Sequence, residues 1–435
     1  MHPILESEAG LGGEEVRRRH VLPKALFVGV MAGLLASVFR LSLSSAEHLR
    51  QRLIAQAPGW IGVVAAVAIC AAAAALSSWL VRRFAPHAAG SGIPHLKTVL
   101  MGDAEPEWRR LLPVKFFSGL VAIGGGLALG REGPTVQMGG AVGSMAARVL
   151  RVRIGEGERR ALMSAGAGAG LAAAFNAPLA GLIFVLEELH GRFTPVTFVA
   201  AFLASVSADI VSRLLVSELQ VFHVSSVHAP GVASLPFAAV LGGAAGVAGV
   251  FFNRALLLGL DLGDRARRSP GWMAAAAGAL VGLAGGLAPV LSGSGGHLVQ
   301  TAISGHIAVP LLLTYLGARF LMTMLSYATG AAGGIFAPLL VLGALGGLWF
   351  GTTVSPLVHA SQPMAPQVYC ILGMGALFTA IVRAPLTGIV LMIDLTGEYN
   401  LLLPLLVACL LAYSVAEWMG NAPIYEALRV RGSKT

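Results

Sequence analysis

The chain has 435 residues, 56% hydrophobic and 12% charged, with a formal charge of +9 and a mean hydropathy of +0.77. Soluble globular domains carry about 25% charged residues and under half apolar ones. Composition therefore excludes that class, together with disorder, coiled coil and disulfide-rich secreted scaffolds.

The first twenty residues mix Glu6, Glu8, Glu14 and Glu15 with Arg17, Arg18 and Arg19. A secretory leader begins basic and continues apolar, so residues 1–22 are expected to form a cytosolic extension. Nearly charge-free stretches follow at about 25–46, 58–81, 115–129, 133–147, 161–186 and 195–212. A second set lies at about 233–252, 271–291, 306–318, 330–351, 368–393 and 401–420. Such runs predict an all-α polytopic membrane protein. Between them the basic residues form short clusters, Arg82–Arg83, Arg109–Arg110, Arg148 to Arg153, Arg265 to Arg268 and Arg429 to Lys434. Clusters of this kind set topology and touch anionic membrane lipid. No aromatic-interleaved basic surface accompanies them, so nucleic acid is not an expected partner. Basic residues near both ends place both termini in the cytoplasm, with the chain in the inner (plasma) membrane.

The chain repeats itself. Ala174 to Glu187, with Pro178 and Gly181, matches Ile381 to Asp394, with Pro385 and Gly388, at an offset of 207. Gly130-Arg-Glu-Gly-Pro134, followed by Gly139 and Gly143, matches Gly334-Ile-Phe-Ala-Pro338, followed by Gly343 and Gly347, at an offset of 204. Two motifs in the same order at nearly one offset indicate two related halves. The expected division is a first membrane repeat over 23–218, a linker at 219–231, a second repeat over 232–420 and a cytosolic C-terminal segment, 421–435, that carries Tyr425.

Gly and Pro have positional meaning in these motifs. Proline suits the first turn of a helix, so Ile93-Pro94, Gly133-Pro134, Ala177-Pro178 and Ala337-Pro338 read as helix starts. A helix that begins inside apolar depth aims unpaired N–H groups and its positive dipole end into the bilayer. Such starts need something anionic or wet to meet them. Kinks or interfacial loops are the alternative for any single motif; four motifs, two of them repeated, favour an anion site.

Few polar groups lie within or beside the apolar runs. Glu132 follows a glycine-rich apolar run and precedes a helix start, and intramembrane acids are functional by default. It forms either an ion pair with Arg131 or a gate that occupies the place of an anion and leaves it when protonated. Glu187 and Glu188 end an apolar run and point about 100° apart on a helix, so one can face a cavity and the other its rim. Ser91 offers a hydroxyl before a helix start, as a turn serine or an anion donor, and Tyr425 follows the last apolar run as an interface residue or a donor. Cys70, Cys370 and Cys409 are isolated in apolar runs, without metal-ligand spacing, and read as small buried hydrophobes. His87, His95, His190, His297 and His306 are scattered, with no His-Glu-x-x-His pattern to suggest a metal or an enzyme. Ser292-Gly-Ser-Gly-Gly-His297 reads as a flexible loop.

At these motifs the sequence resembles the CLC family of chloride channels and chloride/proton antiporters. Gly90-Ser-Gly92-Ile-Pro94 is similar to the family's first anion-site motif, Gly130-Arg131-Glu-Gly133-Pro134 to the second, Gly334-Ile-Phe-Ala-Pro338 to the third, and Ala422-Pro-Ile-Tyr425 to the late tyrosine segment. The resemblance implies two inverted-topology helical repeats with discontinuous, tilted helices, and a homodimer with one pore per subunit. It implies that Ser91 and Tyr425 donate hydroxyls to a dehydrated chloride, joined by backbone N–H groups near Ile335 and Phe336. Glu132 would be the gate and outer proton acceptor, Glu188 the inner proton-transfer acid, and Glu187 a second acid on the inner path. No cofactor is implied. The acid at Glu188 favours an antiporter over a passive chloride channel, the alternative within the family. His95, where an acid is usual, and Lys97 depart from the pattern at the inner mouth.

Overall fold

The computed structural model describes residues 3–57, 59–150, 156–190, 194–216, 221–224, 230–265, 270–354 and 364–433, with side chains described from Val21 onward except at 265, 270 and 354. Residues 151–155 and 266–269, Lys434 and most of the expected 219–231 linker lie outside the described residues.

Helices account for nearly all described secondary structure. The first half comprises α1 (Pro3–Ala55), α2 (Trp60–Phe84), α3 (Ile93–Met101), α4 (Trp108–Gly124), α5 (Glu132–Val149), α6 (Glu156–Phe175), α7 (Pro178–Phe184) and α8 (Pro195–Leu215). The second comprises α9 (Leu235–Arg265), α10 (Pro270–Leu287), α11 (Gly296–Ile303), α12 (Val309–Ala328), α13 (Phe336–Val354), α14 (Pro366–Val382), α15 (Pro385–Thr396) and α16 (Leu402–Trp418). A final helix, α17 (Ile424–Gly432), follows. Each element in the first half has a counterpart eight helices later. Packing repeats with it: α5 on α6 becomes α13 on α14, α1 on α8 becomes α9 on α16, and α2 on α4 becomes α10 on α12.

Among the described residues, seven helices are long and apolar enough to cross a membrane. By contrast α3 has 9 residues, α7 has 7, α11 has 8 and α15 has 12. At about 1.5 Å per residue none of these spans a hydrocarbon core of about 30 Å. Pro94, Pro178 and Pro385 lie in the first turns of α3, α7 and α15, where the missing N–H is tolerated.

Lipid supplies no hydrophobic drive between helices, so close backbone approach must supply packing energy. Along α1, Ala25, Val28, Ala32 and Ala36 form a buried stripe against Ala200, Ala204 and Ala208 of α8 and Ala165 and Ala169 of α6. The α5–α6 and α13–α14 pairs go further. A Cβ on Gly139 would lie 2.1 Å from the Gly166 carbonyl oxygen, and one on Gly343 would lie 2.6 Å from that of Gly373. Alanine at either position would drive the two backbones apart.

The symmetry is visible in individual contacts. Both oxygens of Glu187, beyond the end of α7, accept from the Leu386 and Thr387 N–H groups at the start of α15, at 3.0 and 2.7 Å. Asp394, near the end of α15, in turn accepts from the Ala180 N–H at the start of α7, at 3.0 Å. Each helix therefore caps the beginning of the other, which requires that they run antiparallel. This is an inverted repeat.

Two faces can be distinguished. On one, Lys24 bonds Glu158 at 2.5 Å, Arg429 lies 3.7 Å from Asp103, and Arg431 pairs with Asp261 and Asp264. The opposite face carries the far end of α1, where Arg50 donates to Ser292 Oγ at 2.5 Å.

Candidate anion and proton site

The motif loops meet at the centre through backbone hydrogen bonds. Gly130 and Gly334 exchange N–H···O bonds of 2.7 and 2.8 Å, joining the starts of α5 and α13. Gly90 donates to Ala331 O and accepts from Gly333 N–H, both at 3.0 Å, which ties the loop before α3 to the same place. Gly133 allows the last approach: a Cβ there would sit 2.8 Å from both Cβ and O of Ser91. Three helix N-termini thus converge from loops that are far apart in sequence. Ile335, just before α13, and Phe336, its first residue, are both fully buried at this junction.

The loop before α3 is held from behind by a cation. Lys115, buried in α4, donates its ammonium to the carbonyls of Ala88 and Gly90 at 2.9 and 2.8 Å. Arg319 of α12 does the same in the second half, to Leu291, Gly293 and Ser294, at 2.8, 2.8 and 3.0 Å. The Ser292–His297 segment, expected to be a flexible loop, is thus a fixed turn, the counterpart of Gly90–Pro94 with Ser294 matching Ser91. Neither buried cation was singled out from sequence. Their offset of 204, the same as that between the glycine-proline motifs, is the signal that would have found them.

Ser91 is buried, and the Tyr327 phenol packs on the same loop, its hydroxyl 2.8 Å from where a Cβ on Gly90 would sit. Tyr327 is a further residue the sequence reading missed. Tyr425 is fully buried and its hydroxyl has no hydrogen-bond partner among the described residues. It is therefore not an interface tyrosine on an exposed tail; α17 packs against α3 and α14.

Glu132 begins α5 and is 3% exposed. Its Oε1 is 3.9 Å from Arg131 Nε, too long for a hydrogen bond. Arg131 instead donates to Ala174 O at 3.3 Å. Oε2 of Glu132, close to the Ala337 N–H in the first turn of α13, has no partner of good geometry. The carboxylate occupies the joint start of α5 and α13, where backbone donors and helix dipoles favour negative charge.

The two acids beyond α7 are adjacent within a π-helical turn, Val185–His190, which widens the helix at this point. Glu187 is held at α15, with Thr387 Oγ1 adding a third bond of 2.8 Å. An acid at a helix C-terminus is disfavoured by the helix dipole, but this carboxylate sits at the N-terminus of a different helix, where the dipole favours it. Glu188 is buried and accepts from Lys97 Nζ at 2.8 Å. The unusual Lys97 is thus the direct partner of this acid. From it a line of charge leads to the Lys24 face through Glu426 and Arg429, which bond at 2.6 Å, and then Asp103. The Arg429 hydrogen bonds hold the Glu426 carboxyl below its ordinary value. His95 lies off this line, stacked on His87 with centroids 4.5 Å apart and 3.3 Å from the Gln137 amide.

Comparison with known proteins agrees with this geometry. Residues 73–417 match the family model described as voltage gated chloride channel. The chain is 41% identical to the H(+)/Cl(−) exchange transporter ClcA of Vibrio cholerae serotype O1 (strain M66-2), over 95% of this chain and 90% of the relative. It is 40% identical, with the same coverage, to the protein of that name from Vibrio vulnificus strain YJ016. Among solved structures, a slow cyanobacterial Cl−/H+ antiporter superposes with a TM-score of 0.90 at 36% identity, covering 95% of this chain and 97% of that one. A eukaryotic CLC transporter superposes with a TM-score of 0.79 at 25% identity, covering 96% and 74%. With its inverted repeats and converging helix starts, this chain belongs to the voltage-gated chloride channel family.

Proposed function

We propose that this protein exchanges chloride for protons across the cell's inner membrane, with the Lys24 face and both termini in the cytoplasm. The observation that carries the reading is the Glu132 carboxylate, buried at the joint start of α5 and α13 with one oxygen unsatisfied. A carboxylate there competes with an inorganic anion for the same backbone donors. When it takes up a proton it loses that competition, moves aside and admits chloride; when it releases the proton it closes again. The names of the exchange transporters and antiporters to which the chain is similar support the same activity.

The central anion would rest between the Ser91 and Tyr425 hydroxyls and the backbone N–H groups near Ile335 and Phe336. Tyr327 packs on the loop that carries Ser91. Lys115 spends its protons on loop carbonyls, so its charge makes the region favourable to anions without touching one. Weak neutral donors at the contact and a cation behind it suit a site that must both bind and release. The proton would enter from the cytoplasm at Glu188, guided by Lys97, and pass to Glu132. Glu187 is a cap for α15 in this scheme. The functional unit is a homodimer with one pore per subunit, which cross-linking in native membranes would detect. Simultaneous chloride and pH electrodes on reconstituted liposomes test the exchange: proton movement against its gradient, driven by chloride, is expected, and chloride flux without protons would mean a passive channel.

A further inference from the structure

A cavity of ≈ 410 Å³ opens near the Arg50 face, beside Glu132 but outside the central site, lined among others by Arg40, Ser44, Glu47, Arg131 and Ser294. Its two guanidiniums are tethered to one turn by neutral acceptors. Arg40 donates to Asn176 Oδ1 at 3.1 Å and Arg131 to Ala174 O at 3.3 Å. Their like charges are close enough to repel. Glu47 lies within electrostatic reach of Arg131 and of Arg50, yet it forms no ion pair with Arg40 or Arg131 among the described residues. Two like charges held together in a cavity, with a carboxylate that stands off from them, leave room for a counter-ion between. Ser294, from the turn that corresponds to Ser91 in the other half, also lines the cavity.

We propose that this cavity is an outer loading site for a small monovalent anion, held between Arg40 and Arg131, with Glu47 limiting how tightly it is held. Glu132 then has an anion waiting beside it when it moves. Three charges that sum to one positive attract chloride without trapping it. The proposal rests on the exchange reading in one respect, that the anion loaded is the anion exchanged.

The test uses the full-length protein in vesicles sorted for a single orientation by a tag on one face, with chloride varied separately on each side. Arg40→Gln should raise the half-saturating chloride on the Arg50 face about five- to tenfold, and Glu47→Gln should lower it by a similar factor, as loss of a nearby charge of either sign predicts. Chloride dependence on the Lys24 face should not change. Arg40→Lys keeps the charge and should stay within about twofold of wild type, which separates charge from the Asn176 tether. Crystals grown in bromide should show anomalous density between Arg40 and Arg131 that weakens in Arg40→Gln. Shifts of the same sign in Arg40→Gln and Glu47→Gln, equal shifts on both faces, or no bromide at this position in the wild type would each overturn the proposal. A wild type that moves chloride without protons would defeat the exchange reading, while the sided affinities and the bromide density would still decide this one.

Discussion

Replacing Glu187 by alanine separates a cap from a proton carrier. The carboxylate receives three hydrogen bonds from the start of α15, from Leu386 N, Thr387 N and Thr387 Oγ1, at 3.0, 2.7 and 2.8 Å. Losing a helix N-cap costs about 0.5–2 kcal/mol. Hydrogen bonds to a charged group contribute roughly 1.5–3 kcal/mol each. Glu187 is only half-buried and Leu386 is exposed, so a total near the lower part of that range is appropriate, about 2–4 kcal/mol. The assay is thermal unfolding of the purified protein in detergent, paired with chloride and proton flux after reconstitution. Glu187→Ala should lower the unfolding temperature by several degrees yet keep proton coupling in the molecules that stay folded. Glu187→Gln, which retains an acceptor, should lose less. Asp394→Ala, at the matching position in the other half, should be destabilising in the same way. A Glu187→Ala protein with wild-type thermal stability and no proton flux would refute the cap and make the residue a carrier.

Glu188→Gln should silence proton movement while chloride still flows, read by paired electrodes; loss of both fluxes in a folded, dimeric protein would make the residue structural. Ser91→Pro should raise nitrate transport relative to chloride in the same vesicles, and an unchanged ratio would remove Ser91 from selectivity. Glu426 is held below its ordinary value by Arg429, so its stabilisation of α17 is present above about pH 4.3, the unperturbed value. It is lost as pH falls through the lower folded value. Hydrogen exchange of α17 amides should therefore increase only on strong acidification, and in Glu426→Gln that increase should disappear.

Local rules carried much of the fold. The Gly-Pro and X-Pro steps placed the starts of α3, α5, α7 and α13, because proline's missing N–H has only a few tolerable positions in a helix. The 204 and 207 offsets exposed the repeat. Contacts between distant segments were less legible. Nothing local to Glu187 announces that its oxygens reach residues 199 and 200 positions away, although its repeat partner Asp394 was visible. Lys115 and Arg319 stand at the edges of apolar runs, where a charge is conspicuous. Their use as clamps on loop carbonyls follows only from tertiary packing. Ser292–His297 reads as flexible when only its glycines are considered; aligned with Gly90–Pro94 it is a fixed turn. Lys97 was noticed as a departure, and its partner Glu188 lies 91 residues on, beyond any helical periodicity.

The competition between Glu132 and chloride is tested most directly by Glu132→Gln, which keeps the shape of the protonated acid and cannot release a proton. Chloride and proton fluxes should be recorded together from reconstituted liposomes over a range of pH. Glu132→Gln should pass chloride without protons and lose most of the pH dependence of the wild type. Proton-coupled chloride movement that persists in Glu132→Gln would contradict the account and place the gate elsewhere.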